Sequence, residues 1–361
     1  MKILQLITEL TPAGAEKIVC ELSIALSAKK NEVSVISLMP FPQNDTILCE
    51  LRNKGINVIS LDLRKVSIWR ICELRKLINK FQPDIVHSHL IHSNIISRIT
   101  KLFSKHKFKL INTVHIAERR NNKKWHFFLD KLTFKLCDIQ TCVSKTVRDY
   151  HSEKIKIDNK KMPVVYNGLP IVPQINEERI CTLRKEWNVA NCAKIIGSVG
   201  RLDWQKGYDL FLKHLSAICA KIPENETWAI IIIGEGKYRK ELENIIASQK
   251  FDNLQVNLIG FRKDAAECIG AFDLFVMPSR YEGHPLTLVE AMFSGVGIIG
   301  SKAETIIEYG HDYSNIEFID FNNETEVIKS IFNFIDKGKI EPLAKFTVNK
   351  MVNEYLEIYN Q

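Results

Sequence analysis

The feature that most constrains this chain is an alternation of apolar, strand-length runs with helix-length segments, which begins at the N-terminus, lapses once, and starts again. KILQLI (2–7) leads into an amphipathic helix from Ala15 to Ala28, followed by EVSVISL (32–38) and INVISL (56–61). A helix over 68–79 precedes DIVHSH (84–89), one over 93–104 precedes KLINTVH (109–115), and one over 124–136 precedes DIQTCVS (138–144). After VVYNG (164–168) the periodicity is lost in LPIVPQI (169–175), a proline-rich stretch that reads as an interdomain linker. The second series is IIGSVG (195–200), WAIIIIG (228–234), LQVNLIG (254–260), DLFVMPS (273–279), GVGIIGS (295–301) and a short strand at 316–320. Helices separate these strands, and a final helical region covers 341–359. Continuous apolar strands belong inside parallel sheets. Strand–helix–strand repeats build such sheets through right-handed crossovers. The expectation is an α/β chain of two doubly wound, Rossmann-like domains, 1–170 and 171–345, facing across a cleft. A C-terminal helix at 346–361 is expected to pack back on the first domain.

Composition narrows the class. With 361 residues, 45% hydrophobic and 25% charged, the chain can bury two cores as a soluble protein does. Its longest apolar runs, such as Trp228 to Ile233, fall far short of the roughly 20 residues that span a bilayer. MKILQLITEL reads as a first strand and not as a leader. Nine dispersed cysteines without a CxxC pair fit a reducing cytosol, each as a small buried hydrophobe. The net charge of +8 conceals an asymmetry. Residues 1–173 carry 29 Lys and Arg against 15 Asp and Glu, whereas the remainder carries 21 against 27. The basic residues gather with aromatics in KLFSKHKFKL (101–110) and RRNNKKWHFF (119–128). Such patches either meet anionic lipid, worth about 1 kcal/mol per cation near the surface, or form a solvated basic face. Nucleic acid is disfavoured, because no recognition motif accompanies the charge. The expected location is the cytoplasm, peripheral on the inner face of the membrane.

In open α/β sheets ligands bind beyond the carboxyl ends of the strands, and the unusual polar residues of this chain gather there. Gly14 follows the first strand, His87 and His89 end the fourth, and His115 ends the fifth. In the second series Arg201 follows the first strand, Gly234 and Gly236 the second, and Glu282 follows DLFVMPS. Within PSRYEGHPLTLVEAM (278–292), Gly283 permits a turn beside Glu282 and Pro285 suits the first turn of a helix. Glu290 should lie about a turn and a half into that helix, whose free N–H groups make a seat for phosphate. Taken singly, the two glutamates also fit a surface cap and a buried paired acid. In GSVGRLDWQKGYDLFL (197–212), Arg201 and Lys206 could neutralise a diphosphate, although loop cations are commonly solvated. There is neither a GxGxxG fingerprint nor a GxxxxGK[ST] loop, which disfavours dehydrogenases and P-loop NTPases. HSHLIH (87–92) invites a metal reading, but a strand turning into a helix should point the three rings in different directions. No HExxH and no Asp-x-Asp pair occurs, so no metal and no cofactor are expected.

These segments together resemble the retaining glycosyltransferases of family 4, which have the GT-B fold, over essentially the whole chain. GxRLxxxKG stands at Gly200 to Gly207, E-x7-E at Glu282 to Glu290, and the Ala-Glu turn at AGAE (13–16); DIVHSHL (84–90), Thr113 to His115, CVS (142–144) and YNG (166–168) add to it. The resemblance implies that Arg201 and Lys206 bind the donor diphosphate and that Glu290 holds the ribose. It implies catalytic roles for Glu282, at the transferred sugar, and for His115. Gly14, Gly234, Gly283, His284, Pro285, Leu286 and Thr287 complete the implied substrate-binding set. It further implies transfer with retention, a nucleotide-diphosphate sugar donor (UDP first) and a lipid-linked or polysaccharide acceptor. The chain departs from the family at Ala13, where a second glycine is usual, at His284, where an apolar residue is common, and in SKAETIIEYG (301–310), where Glu304 only approximates the usual acid. Two other classes stay open: a catalytically silent nucleotide-sugar-binding subunit, and another GT-B enzyme such as a UDP-sugar epimerase or a phosphorylase.

Overall fold

Twelve parallel strands, most of them rich in Ile, Val or Leu, form among the described residues, which in this computed structural model are 1–11, 13–43, 46–63, 68–115 and 124–361. The basic residues at 119–123 lie outside them. The chain divides into two compact units, Met1–Pro170 with Phe346–Gln361, and Ile171–Lys345.

The first unit holds β1 (Lys2–Ile7), β2 (Glu32–Ser37), β3 (Asn57–Ser60), β4 (Ile85–His89), β5 (Lys109–Val114) and β6 (Ile139–Cys142), in the order β3-β2-β1-β4-β5-β6. The second holds β7 (Lys194–Val199), β8 (Trp228–Ile233), β9 (Leu254–Gly260), β10 (Leu274–Met277), β11 (Gly297–Ser301) and β12 (Ile316–Ile319), in the order β12-β11-β10-β7-β8-β9. Both orders are the doubly wound 3-2-1-4-5-6 arrangement. Its strand order reverses beside the first strand, and that switch point opens a crevice at the carboxyl edge. The crevice falls between β1 and β4 in one unit and between β7 and β10 in the other.

Four helices begin where a side chain satisfies one of their first N–H groups. Ser144, Asn176, Asn323 and Thr347 each accept from a backbone N–H in the first turn that follows. The last of these corrects the reading of 341–359 as one helix. Helix starts at Val348, because the amides of Ile340 and Leu343 bond back to Gly295 and Met292 of the second unit's core. The helix Val348–Asn360 then packs in the first unit, where the Lys109 ammonium bonds the Ile358 carbonyl at 2.6 Å. All nine cysteines are free. No helix among the described residues is long and apolar enough to cross a membrane.

Candidate active site

In the second unit the crevice between β7 and β10 is built by two loops that touch backbone to backbone. The loop after β7 enters a 3-10 turn, Trp204–Lys206, capped by the Asp203 side chain. Gly207 follows with φ of +65°, and a Cβ there would lie 2.1 Å from the Pro278 carbonyl oxygen. Gly234, at the end of β8, has φ of +150° and would meet the Gly200 carbonyl at 2.0 Å. Any side chain at either position would push the loops apart.

Across this crevice the Lys206 ammonium meets the Glu282 carboxylate at 2.7 Å, with Glu282 only 7% exposed. The Glu282 carbonyl accepts from the Thr305 hydroxyl at 3.0 Å. Three contacts absent from the sequence reading brace the same loops. Arg280 grips Asp209 with two bonds of 2.6 and 2.8 Å. Its guanidinium lies 4.4 Å from the Trp204 ring centre, and Gln205 bonds the Tyr281 carbonyl. Only Arg280, after Pro-Ser and three residues before Gly283, could have signalled them. Arg201 is not drawn into the pair: its side chain is 61% exposed, 3.9 Å from Asp203.

The helix after Glu282 is Leu286–Ser294, so Pro285 stands just before it and not inside its first turn. Glu290 is the fifth residue, little more than one turn in, and is buried. The chain bends at Gly283, Leu286 and Thr287 are partly exposed, and the His284 ring packs edge-on to Tyr309 at 4.7 Å. Glu304 opens the helix Glu304–Gly310.

Gly14 and His115 belong to the first unit. Gly14 is the exposed first residue of the helix Gly14–Ala28, and His115 directly follows β5. The three-histidine segment corrects the expectation that its rings diverge. His87 and His89, two apart on β4, share a face of the sheet, and the neighbouring β5 brings His115 to them. His89 Nδ1 lies 2.9 Å from His115 Nε2, and His89 Nε2 lies 2.8 Å from Gln5 Oε1 of β1. His87 bonds the Tyr359 hydroxyl at 2.7 Å and the Thr113 hydroxyl at 2.6 Å. Only His92 lies apart, on the following helix beside His126. All four nitrogens of His87 and His89 are taken up by these bonds, and among the described residues no acidic or thiol ligand joins them. Burial drives His115 down to about 3, and holds His87 and His89 well below the ordinary value with help from their neighbours. The rings are neutral at physiological pH.

The whole-chain comparisons agree with this architecture. The Glycosyltransferase Family 4 model matches residues 12–171, and the Glycosyl transferases group 1 model matches residues 180–349. An O-antigen biosynthesis glycosyltransferase of Escherichia coli, WclY, is 24% identical, with 100% of this chain and 98% of the relative covered. The UDP-Gal:alpha-D-GlcNAc-diphosphoundecaprenol alpha-1,3-galactosyltransferase of Escherichia coli is 25% identical, over 79% of this chain and 75% of its own. Among solved structures, Anabaena Alr3699/HepE in complex with UDP and glucose superposes with a TM-score of 0.85 at 19% identity, covering 100% and 99% of the two chains. This chain belongs to glycosyltransferase family 4, with two Rossmann-like domains of the GT-B type.

Proposed function

We propose that this family 4 glycosyltransferase is a retaining, metal-independent enzyme. It moves a hexose or N-acetylhexosamine from a nucleotide-diphosphate sugar, with UDP as the nucleotide, to a hydroxyl of a lipid-linked or polysaccharide acceptor. The reaction takes place at the cytoplasmic face of the membrane. The observation that carries the reading is the Lys206–Glu282 contact at the switch point of the second sheet.

There the two side chains neutralise one another. A diphosphate entering at the carboxyl edge competes for the Lys206 ammonium. The ammonium then stabilises charge on the leaving phosphate, and the freed Glu282 carboxylate accepts hydrogen bonds from the sugar hydroxyls beside it. Arg201, exposed at the same edge, adds a second cation for the pyrophosphate, and the buried Glu290 is placed for the ribose. The relatives support the nucleotide and the acceptor class: one is named for UDP-Gal and a diphosphoundecaprenol-linked sugar, and the Anabaena protein holds UDP.

The membrane reading rests on the first unit. Of the ten large apolar side chains that stand exposed among the described residues, five lie on two neighbouring helices: Leu102, Phe103, Trp125, Phe128 and Leu132. Lys105, Lys107, Lys131 and Lys135 stand exposed around them. An exposed apolar stripe with a basic rim is the surface that anionic lipid headgroups cover.

The test is transfer from UDP-hexoses and UDP-N-acetylhexosamines to undecaprenyl-diphosphate-linked sugars, with and without EDTA, and with the product anomer read by NMR. Expected are retained configuration, activity unmoved by EDTA, and a loss of roughly 10²-fold or more in Glu282→Ala. An inverted product, or a Glu282→Ala enzyme as fast as wild type, would sink the reading.

A further inference from the structure

We propose that His89 and Gln5 are positioning residues for His115, fixing its ring as the Nε2–H tautomer through a chain of two buried hydrogen bonds. The inference rests on the reading that His115 belongs to the catalytic site and goes beyond it by saying which of its nitrogens can act.

Gln5 lies buried on β1 with its Oε1 toward His89. Gln5 Oε1 can only accept, so the 2.8 Å contact requires a hydrogen on His89 Nε2. A neutral imidazole carries one hydrogen, which leaves His89 Nδ1 as an acceptor. The 2.9 Å contact between His89 Nδ1 and His115 Nε2 then requires the hydrogen on His115 Nε2. His115 Nδ1 is left with its lone pair, able to accept from a hydroxyl and unable to donate to one. Neutrality is enforced by burial, since Gln5 and His89 are 0% exposed and His115 is 5% exposed. A cation on either ring would face two further imidazoles, and among the described residues no carboxylate is bonded to any of the three.

Geometry holds the chain in place from three strands. Gln5, His87 and Ile111 are partners across β1, β4 and β5, and His89 pairs with Thr113, two residues before His115. The His87 ring lies against His89 at 4.1 Å between centres. His87 is itself bonded to Tyr359 and Thr113 and cannot swing away. His115 therefore meets its substrate with an orientation set by β1 and β4, as a metal-bound histidine is set by the group behind it.

The experiment uses the full chain labelled with ¹⁵N-histidine, in which two-bond ¹H–¹⁵N correlations report each tautomer, together with transfer assays. In the wild type at pH 7, His115 should show a protonated Nε2 and a bare Nδ1. His89→Leu removes the acceptor and should lose that pattern. Its kcat should fall roughly 10- to 100-fold, the size seen for partners behind metal-bound histidines, with KM for donor little changed. His89→Asn places an amide oxygen close to the position of Nδ1, and should restore both the tautomer and most of the lost kcat. A wild-type His115 carrying its hydrogen on Nδ1, or a tautomer unchanged in His89→Leu, overturns the proposal even if some variant folds poorly. Full transfer activity in His115→Ala, with the tautomer intact in the wild type, overturns instead the catalytic reading beneath it.

Discussion

The two units share one topology and fill it differently. Of the buried polar and charged residues among the described ones, 24 lie in the first unit and 8 in the second. β8 is buried Trp-Ala-Ile-Ile-Ile-Ile, while its positional counterpart in the other sheet, β2, alternates serine with valine and isoleucine. The second unit keeps its polar chemistry at the strand ends, where Lys206 meets Glu282, over a dry core of aliphatic and aromatic side chains. The first unit carries polar groups through its interior. Besides the histidines, Arg98 is wholly buried, bonding Asp130, Asn112 at 2.5 Å and Gln140 at 2.5 Å, and Asp130 bonds His151 at 2.6 Å. A doubly wound sheet therefore tolerates either interior, provided most of its buried polar groups are bonded. A polar interior makes the first unit the one whose stability depends on pH.

The largest expected effect follows from that difference. Burial keeps His87, His89 and His115 neutral in the folded unit, while the unfolded chain takes up protons near the ordinary value of 6.5. Their contribution to stability is complete above that value and is lost as pH falls below it toward the depressed folded values. At pH 5 the loss from His115, held at about 3 in the folded unit, is about 2 kcal/mol, and His87 and His89 add to it in the same direction. Asp130 behaves oppositely. Burial raises its carboxyl, but His151 and Arg98 more than reverse this, so its contribution drains only in stronger acid. Hydrogen exchange between pH 7.5 and 5 should show β4 and β5 losing protection while β7 and β8 keep theirs. Equal losses in both sheets would break the comparison.

A mutational pair sharpens it next. Arg98→Met leaves Asp130 buried opposite an apolar side chain and should cost about 3–5 kcal/mol. Arg179→Met, in the second unit, removes an ion cluster with Asp264 and Glu267 whose arginine is 31% exposed, and should cost no more than about 1 kcal/mol. Urea midpoints followed unit by unit through hydrogen exchange check both. Similar costs would mean that the Arg98 network relaxes as easily as a surface cluster does.

What the sequence disclosed divides along the same line. The second unit was legible because its core strands are unbroken apolar runs, and because Lys206, Glu282 and Glu290 stand at fixed short distances from strand ends. The first unit was less so. His87 and His89 read as divergent because the pairing of β4 with β5, which recruits His115, is a long-range fact that no local spacing contains. Arg98 reads locally as a surface cation on an amphipathic helix, and only the folded chain shows Asp130 and Gln140 waiting for it. The segment 119–128 reads as a charge cluster, yet Trp125, Phe128 and Leu132 already have the one-face helical spacing that its lysines obscure.

The smallest expected effect concerns that stripe, and it tests whether the first unit's charge serves an interface or only solubility. The helices Ile91–Phe103 and Lys124–Thr133 run side by side and parallel: His92 lies against His126 near their starts, and Arg98 bonds Asp130 and Thr133 farther along. Leu102 and Phe103 therefore continue the line of Trp125, Phe128 and Leu132. Anionic vesicles of phosphatidylglycerol should bind the full chain at low salt and release it as salt rises, since each exposed lysine contributes about 1 kcal/mol that screening removes. Phe128 is 66% exposed, so Phe128→Ser should leave the fold intact while weakening vesicle binding by about 1.5–3 kcal/mol, roughly 10- to 100-fold. A matching change at Phe261, which is 55% exposed in the second unit, should leave vesicle binding unmoved. Flotation separates the cases. Binding lost in Phe128→Ser and kept in Phe261→Ser assigns the membrane to the basic unit alone, whereas binding indifferent to both, or to salt, leaves the lysines as a solvated face.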